Sequence, residues 1–165
     1  MRIETERLTL RRLTETDADG LVELFNDAEV RRFISVKQPY TREDALARIR
    51  ADVDEWELLG HRVVAVEERP TGRFAGRVLL YDWEELGESE IGWTLVARAR
   101  GNGYATEAAR ALIDWAFANL DVPYLISVIA VDNEPSKRVA ERLGMQVLRH
   151  QELDGEPHVI YALSR

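Results

Sequence analysis

Between Glu90 and Glu107 the chain gathers the residue types that anion binding asks for. A β-rich run, Glu90-Ile91-Gly92-Trp93-Thr94-Leu95-Val96, leads into Ala97-Arg98-Ala99-Arg100-Gly101-Asn102-Gly103, and an alanine-rich stretch follows. Glycines let the backbone approach a ligand closely and take angles closed to other residues. A helix start exposes unpaired N–H groups and positive dipole charge, which suits a phosphate. Arg98 and Arg100 add full charges, and no acid falls between Val96 and Thr106, in a chain whose net charge is −8. That local reversal predicts an anionic ligand at this loop.

Two common phosphate motifs are excluded by counting. The dinucleotide fingerprint Gly-x-Gly-x-x-Gly/Ala, started at Gly101, meets Thr106 in its last place. The P-loop pattern also needs glycine where Thr106 stands. What remains is Arg98-x-x-Gly101-x-Gly103 after a strand.

At this point the sequence resembles the GNAT superfamily of N-acetyltransferases, whose signature at a strand–helix junction is Gln/Arg-x-x-Gly-x-Gly/Ala. The wider run from Ile91-Gly92-Trp93 to Gly103-Tyr104-Ala105-Thr106-Glu107-Ala108 is similar to the RimJ/RimL branch, which acetylates N-termini of ribosomal proteins. So are Glu6-Arg7-Leu8-Thr9-Leu10-Arg11 with Asp17 and Asn26-Asp27, and Asn133-x-x-Ser136-x-Arg138-Val139-x-Glu141-x-Leu143-Gly144-Met145. The likeness covers nearly the whole chain in order.

The resemblance implies a single GNAT-like α+β domain over residues 1–165. Its mixed, mostly antiparallel central sheet would carry helices on both faces and a splayed parallel strand pair, near 90–96 and 124–131. It implies acetyl-CoA as co-substrate, with pantetheine on backbone at Leu95 and Val96. The pyrophosphate would rest on the amides from Arg98 through Gly101, Asn102, Gly103, Tyr104 and Ala105 to Thr106. Asn133 would touch pantetheine or cap a helix, a job Asp132 could do instead. Many relatives carry a tyrosine acid where this chain has Ala140, and Ser136 matches the serine proposed instead in the RimL-like branch. Glu90 is placed to take a proton from the amine, directly or through water, or to stand as an exposed strand-end carboxylate.

The expected reaction is direct attack of an amine, a protein N-terminus or a small molecule, on the thioester. A backbone N–H near Leu95 would stabilise the oxyanion. The alternative is a non-catalytic acyl-CoA sensor or an interaction domain, which the missing tyrosine keeps open. His61, His150 and His158 stand at no metal-ligand spacing, so no metal is expected. Trp56, Trp83, Trp93 and Trp115 read as mostly core, with Trp83, in Asp82-Trp83-Glu84-Glu85, a candidate for the acceptor side.

Strand and helix signals alternate around this segment. Leu8 and Leu10 predict a strand over about residues 5–13. Thr14 with Asp17, and Thr41 with Asp44, have capping-box spacing. The first precedes a face of Leu21, Leu24, Phe25 and Ala28; the second precedes Ala45, Ile49, Val53 and Trp56, with Gly60 as stop. Val63–Val66 and Phe74–Tyr81 read as strands around the Pro70-Thr71-Gly72 turn. A helix is expected from about Gly103 to Asn119 and a shorter one over about Glu134–Leu143. The tail reads as a hairpin turning at Asp154-Gly155.

The 165 residues, 45% hydrophobic, suffice for one buried core. Cysteine is absent, which rules out disulfides and a cysteine nucleophile. With 22 basic against 30 acidic residues, no nucleic-acid partner is expected. No apolar run spans a bilayer and no signal peptide opens the chain, so neither membrane nor export is expected and the cytoplasm is the predicted location. Pairing as a homodimer is left open.

Overall fold

The computed structural model describes residues 1–84 and 87–165. Its eight strands are β1 (Arg2–Glu4), β2 (Leu8–Arg12), β3 (Val63–Glu68), β4 (Arg73–Trp83), β5 (Glu88–Leu95), β6 (Tyr124–Ala130), β7 (Gln146–Leu153) and β8 (Glu156–Ser164). The helices are α1 (Ala18–Asn26), α2 (Ala28–Arg31), α3 (Arg42–Leu59), α4 (Tyr104–Asn119) and α5 (Glu134–Arg142). The sheet runs β1-β2-β3-β4-β5-β6-β8-β7. Every neighbouring pair is antiparallel except β5–β6, which is parallel and in register only at Glu90↔Ile126. Beyond that point the two strands part, as the resemblance implied.

Two helices sandwich the middle of the sheet. Ala75 is bulged out of the β3–β4 ladder, so Phe74 and Arg77 share one face. Helix α1 covers that face: a β-carbon at Gly20 would fall 2.4 Å from the Phe74 ring, and Phe25 lies under the Arg77 guanidinium. Val78, Leu80 and Ile91 on the other face are equally buried, and α4, which packs on β2, β4 and β5, covers them. The inner stripe of α4 is Ala108, Ala109, Leu112, Ile113 and Ala116; of the face its spacing predicts, Ala105, Ala108, Ala109, Leu112 and Ala116, Ala105 is only half-buried.

Two expectations are corrected. The strand expected over 5–13 is shorter, Leu8–Arg12, and a further strand, Arg2–Glu4, precedes it, because Thr5 turns the chain: its hydroxyl accepts from Leu8 N–H at 3.0 Å and its own N–H donates to Leu8 O. Ala28 does not continue the first helix. Asp27 leaves the helical region and caps α2, accepting from Glu29 and Val30 N–H at 3.0 and 3.1 Å. The remaining turns agree: Thr41–Asp44 caps α3, Gly60 ends it in the left-handed region at φ 74°, and Asp154-Gly155, φ 52° and 80°, closes the β7–β8 hairpin.

Thr14 and Asp17 do more than start a helix. Asp17 is 3% exposed and takes both Arg11 guanidinium nitrogens at 2.8 Å, together with the Thr14 N–H. Removing the acid leaves a half-buried guanidinium bonded only to Glu67 and a carbonyl. Asp17→Ala is expected to lower unfolding free energy by about 3 kcal/mol, read from urea denaturation. A loss below about 1 kcal/mol would show that the pair contributes no more than a surface bridge.

Candidate active site

The parting of β5 and β6 opens a cleft of about 800 Å³. Its walls come from the start of α4, from α5, and from β4 with the segment after α2. A second hollow, about 520 Å³, lies between Ile3–Thr5 and α4, lined by Glu4, Glu107, Arg110 and Asp114, and its Glu107 is already bound by Thr5 and Arg7.

One end of the cleft is the glycine loop. Gly101 and Gly103 both stand at φ 78°, and Gly103 is the N-cap of α4. No side chain caps this helix. Among the described residues, no backbone N–H from Gly101 to Thr106 donates a hydrogen bond. A β-carbon at Gly101 would touch nothing within 4 Å, so this glycine answers to the backbone angle and not to crowding. The result is a run of free amides at a positive helix end, facing the cleft from Gly101, Gly103, Tyr104, Ala105 and Thr106.

The two arginines act differently from expectation. Arg98 is absent from the cleft wall: it pairs with Glu23 at 2.9 Å and donates to Phe74 O at 2.6 Å. Arg100 does line the cleft, yet its guanidinium pairs with Asp27 at 2.8 Å and donates to Leu95 O. Burial opposes the charge on Asp27, but Arg100 and the Val30 and Glu29 amides hold its carboxyl below the usual range. The acids that answer the loop's basic charge thus arrive from α1 and from the α1–α2 junction. The loop is further clamped by Arg7, which donates to Asn102 O at 2.9 Å and pairs with Glu107. Glu107 also accepts from Thr5 and from the Arg7 N–H, and these bonds outweigh burial to keep its carboxyl low.

Leu95 lines the cleft, and Val96, expected beside it as a pantetheine contact, does not. Its N–H donates to Ala75 O and its carbonyl accepts from Ala99 N–H, both at 3.0 Å, and the residue is fully buried. The side chain of Asn102 turns back onto Ala99 O and Arg100 O. Asn133 does cap α5, its side chain accepting from Ser136 N–H at 3.2 Å, and it also lines the cleft. Ser136 lines the same wall, and its hydroxyl donates to no described residue. Ala140 is buried on the inner side of α5.

Glu90 sits at the apex where the strands part. It is not an exposed strand-end carboxylate. Trp83 Nε1–H donates to it at 2.7 Å and Val128 N–H at 3.2 Å, the latter an amide that a continuous parallel ladder would have used. Burial raises its carboxyl to about 7, with the two donors pulling the other way. Tyr81, edge-to-face with Trp83, completes this corner; Glu85 of the same loop lies outside the described residues.

Sequence reasoning missed Arg77, which lines the cleft from β4, and the clamp made by Arg7, Glu107 and Asp27. An arginine inside the apolar run Phe74–Leu80 was a usable signal; the clamp, bridging residues about a hundred positions apart, was not. Among the described residues no three His, Asp or Glu side chains gather as a metal site, and no helix is long and apolar enough to cross a membrane.

Comparison with known proteins matches this architecture. A family model described as "Acetyltransferase (GNAT) domain" matches residues 7–146. The uncharacterised N-acetyltransferase YoaA of Bacillus subtilis (strain 168) is 26% identical over 145 residues, 87% of this chain and 82% of its own. An acetyltransferase structure from Agrobacterium tumefaciens is 31% identical, with a TM-score of 0.81 over 100% of this chain and 95% of its own. The RimL ribosomal L7/L12 α-N-protein acetyltransferase, solved with coenzyme A, shares the fold at 19% identity, with a TM-score of 0.83 over 99% and 98% of the two chains.

Proposed function

The chain belongs to the GNAT acetyltransferase family and is an N-acetyltransferase, and on that premise we propose that it binds acetyl-CoA through the α4 start and acetylates a primary amine in the RimJ/RimL manner. The observation that carries the reading is the free amide run at Gly101–Thr106, which fits a diphosphate, beside a buried carboxylate at the strand apex. The RimL structure with coenzyme A, alike in fold, supports the same ligand.

In this reading residues 1–165 work as one acyltransferase unit. The α4 amides hold the pyrophosphate. The edge of β5 from Gly92 to Leu95 faces the pantetheine, and an amide of that edge meets the developing oxyanion. Glu90 takes the amine proton as the N–C bond forms and the C–S bond breaks. With its carboxyl near pH 7, about half of it is ionised at neutrality, where a general base is most effective. An α-amine of pKa about 8 is already about one-tenth neutral at pH 7; a lysine amine at about 10.4 is neutral about once in 2,500. A weak base therefore suffices for an N-terminal acceptor.

Coenzyme A leaves as a thiolate, and Ser136 donates a hydrogen bond to it. A thiol of pKa about 8.5 needs little help to leave, so Ser136→Ala is expected to lower kcat only about 3- to 10-fold, the worth of one hydrogen bond. A drop beyond a hundredfold would make it an essential acid.

The direct experiment is free-thiol release from acetyl-CoA with a panel of amines. Acceptor-dependent release supports the reading. Tight binding without release would favour a sensor, and the absence of any calorimetric heat with acetyl-CoA would favour an interaction domain.

A further inference from the structure

Several charged side chains line the cleft outside the mechanism above; Glu29, Arg138 and Arg142 are exposed and Arg100 is paired with Asp27, whereas Arg77 is buried. It is 6% exposed and sits on the face covered by α1, its guanidinium 4.8 Å from the Phe25 ring centroid. Its Nε is buried with no hydrogen-bond partner, and among the described residues no carboxylate lies within ion-pair distance of it. The nearest acid in electrostatic reach, Asp52, is already held by Arg48 Nε at 3.1 Å. Burial and the neighbouring Arg48 push the Arg77 pKa down to about 10, against Asp52 and Tyr40, so the group stays charged at neutral pH.

A desolvated guanidinium without a partner is costly, and a leucine or methionine would fill the same space without that cost. Yet Arg77 lines the cleft, on the α1 side that also carries Tyr81 and Leu79. The register sets its place: Arg77 pairs with Thr94 and Tyr81 with Glu90, four residues apart, or about 13 Å of strand.

We infer that the acceptor amine carries its own carboxylate, which the Arg77 fork grips while the amine stands by Glu90. A guanidinium presents two parallel donors that match a carboxylate, and one unpaired positive charge matches a monoanion. The inference rests on the acetyl-transfer reading. The carboxylate comes either from a free amino acid or from an acidic side chain near a peptide N-terminus, and the same fork serves both.

The test compares acceptors in matched pairs on the full chain with acetyl-CoA. The probes are an α-amino acid, an ω-amino acid and an amidated tripeptide with Glu second, each against its carboxamide. In at least one pair the carboxylate form is expected to have about 10- to 100-fold higher kcat/KM, and the pair that discriminates identifies the source. Arg77→Gln and Arg77→Met are expected to bring that ratio near one, and Arg77→Lys to leave it intermediate. Three outcomes would overturn the inference: no wild-type pair differing by more than about twofold, a ratio that persists in the variants, or a variant defect that lies in coenzyme A affinity by calorimetry. Should the variants not fold, the wild-type ratios still decide it. Failure of both carboxylates and amides, with no coenzyme A binding, would instead strike the acetyl-transfer reading.

Discussion

Replacing Gly103 by glutamate is expected to raise the dissociation constant for coenzyme A about a thousandfold while the protein still unfolds as one cooperative unit. Two effects combine. Gly103 stands at φ 78°, where a β-carbon costs about 1–2 kcal/mol, so the loop relaxes away from its present shape. The new carboxylate also stands at the helix N-terminus, where the diphosphate would lie. At about 5 Å and an effective dielectric constant near 20, each pair of like charges costs about 3 kcal/mol before screening, so a screened total of about 4 kcal/mol is reasonable. The fold should survive, because only an Arg7 nitrogen comes within 4 Å of the added β-carbon, at 3.5 Å. Calorimetry with coenzyme A and a thermal melt check both halves. Gly103→Ala, carrying the backbone cost without the charge, should lose much less. Unaltered affinity in the glutamate variant would remove the diphosphate from this loop.

The second large effect belongs to Glu90→Gln, for which kcat/KM at pH 7 should fall about 100- to 1,000-fold with an amine of high pKa, and less with an α-amine. Wild-type activity should rise through about pH 7 as the carboxyl ionises, and the variant should lack that limb. Stability should move the opposite way. Below pH 4.5 the carboxyl is protonated in both the folded and the unfolded chain. Between 4.5 and about 7 the unfolded chain releases its proton while the folded chain keeps it, so stability falls as pH rises. The loss approaches about 3 kcal/mol at most and levels off above pH 7. Glutamine has no proton to release, so the variant should melt higher than wild type at pH 8 and alike at pH 4. A variant of undiminished activity, or one with the wild-type pH profile, would show that Glu90 is not the base.

Much of the architecture was legible because it follows from local signals. Thr41–Asp44, Gly60 and Asp154-Gly155 are turn and cap chemistry, and the α4 stripe is simple periodicity. The glycine loop was legible too, since two left-handed glycines before a helix narrow the conformations available. What the sequence concealed was partnership across distance. Arg98 and Arg100 read as free cations because their acids, Glu23 and Asp27, lie more than seventy positions away. Val96 read as a ligand contact because nothing local reveals that Ala75 claims its N–H. Glu90 was visible as an acid; that Trp83 and Val128 hold it buried depends on where three strands meet.

The β5–β6 pairing at Glu90↔Ile126 alone has a mechanical consequence. Past that rung, Gly92, Trp93 and Thr94 are laddered to β4 on one edge and to no strand on the other. An isolated edge of this kind invites any chain of amides that can lie along it, and pantetheine is such a chain. In the proposed reading the sheet would borrow a strand from its substrate, so rigidity in the middle of the molecule would track how much acyl donor surrounds it. The enzyme would be at its stiffest when loaded and would loosen each time spent coenzyme departs.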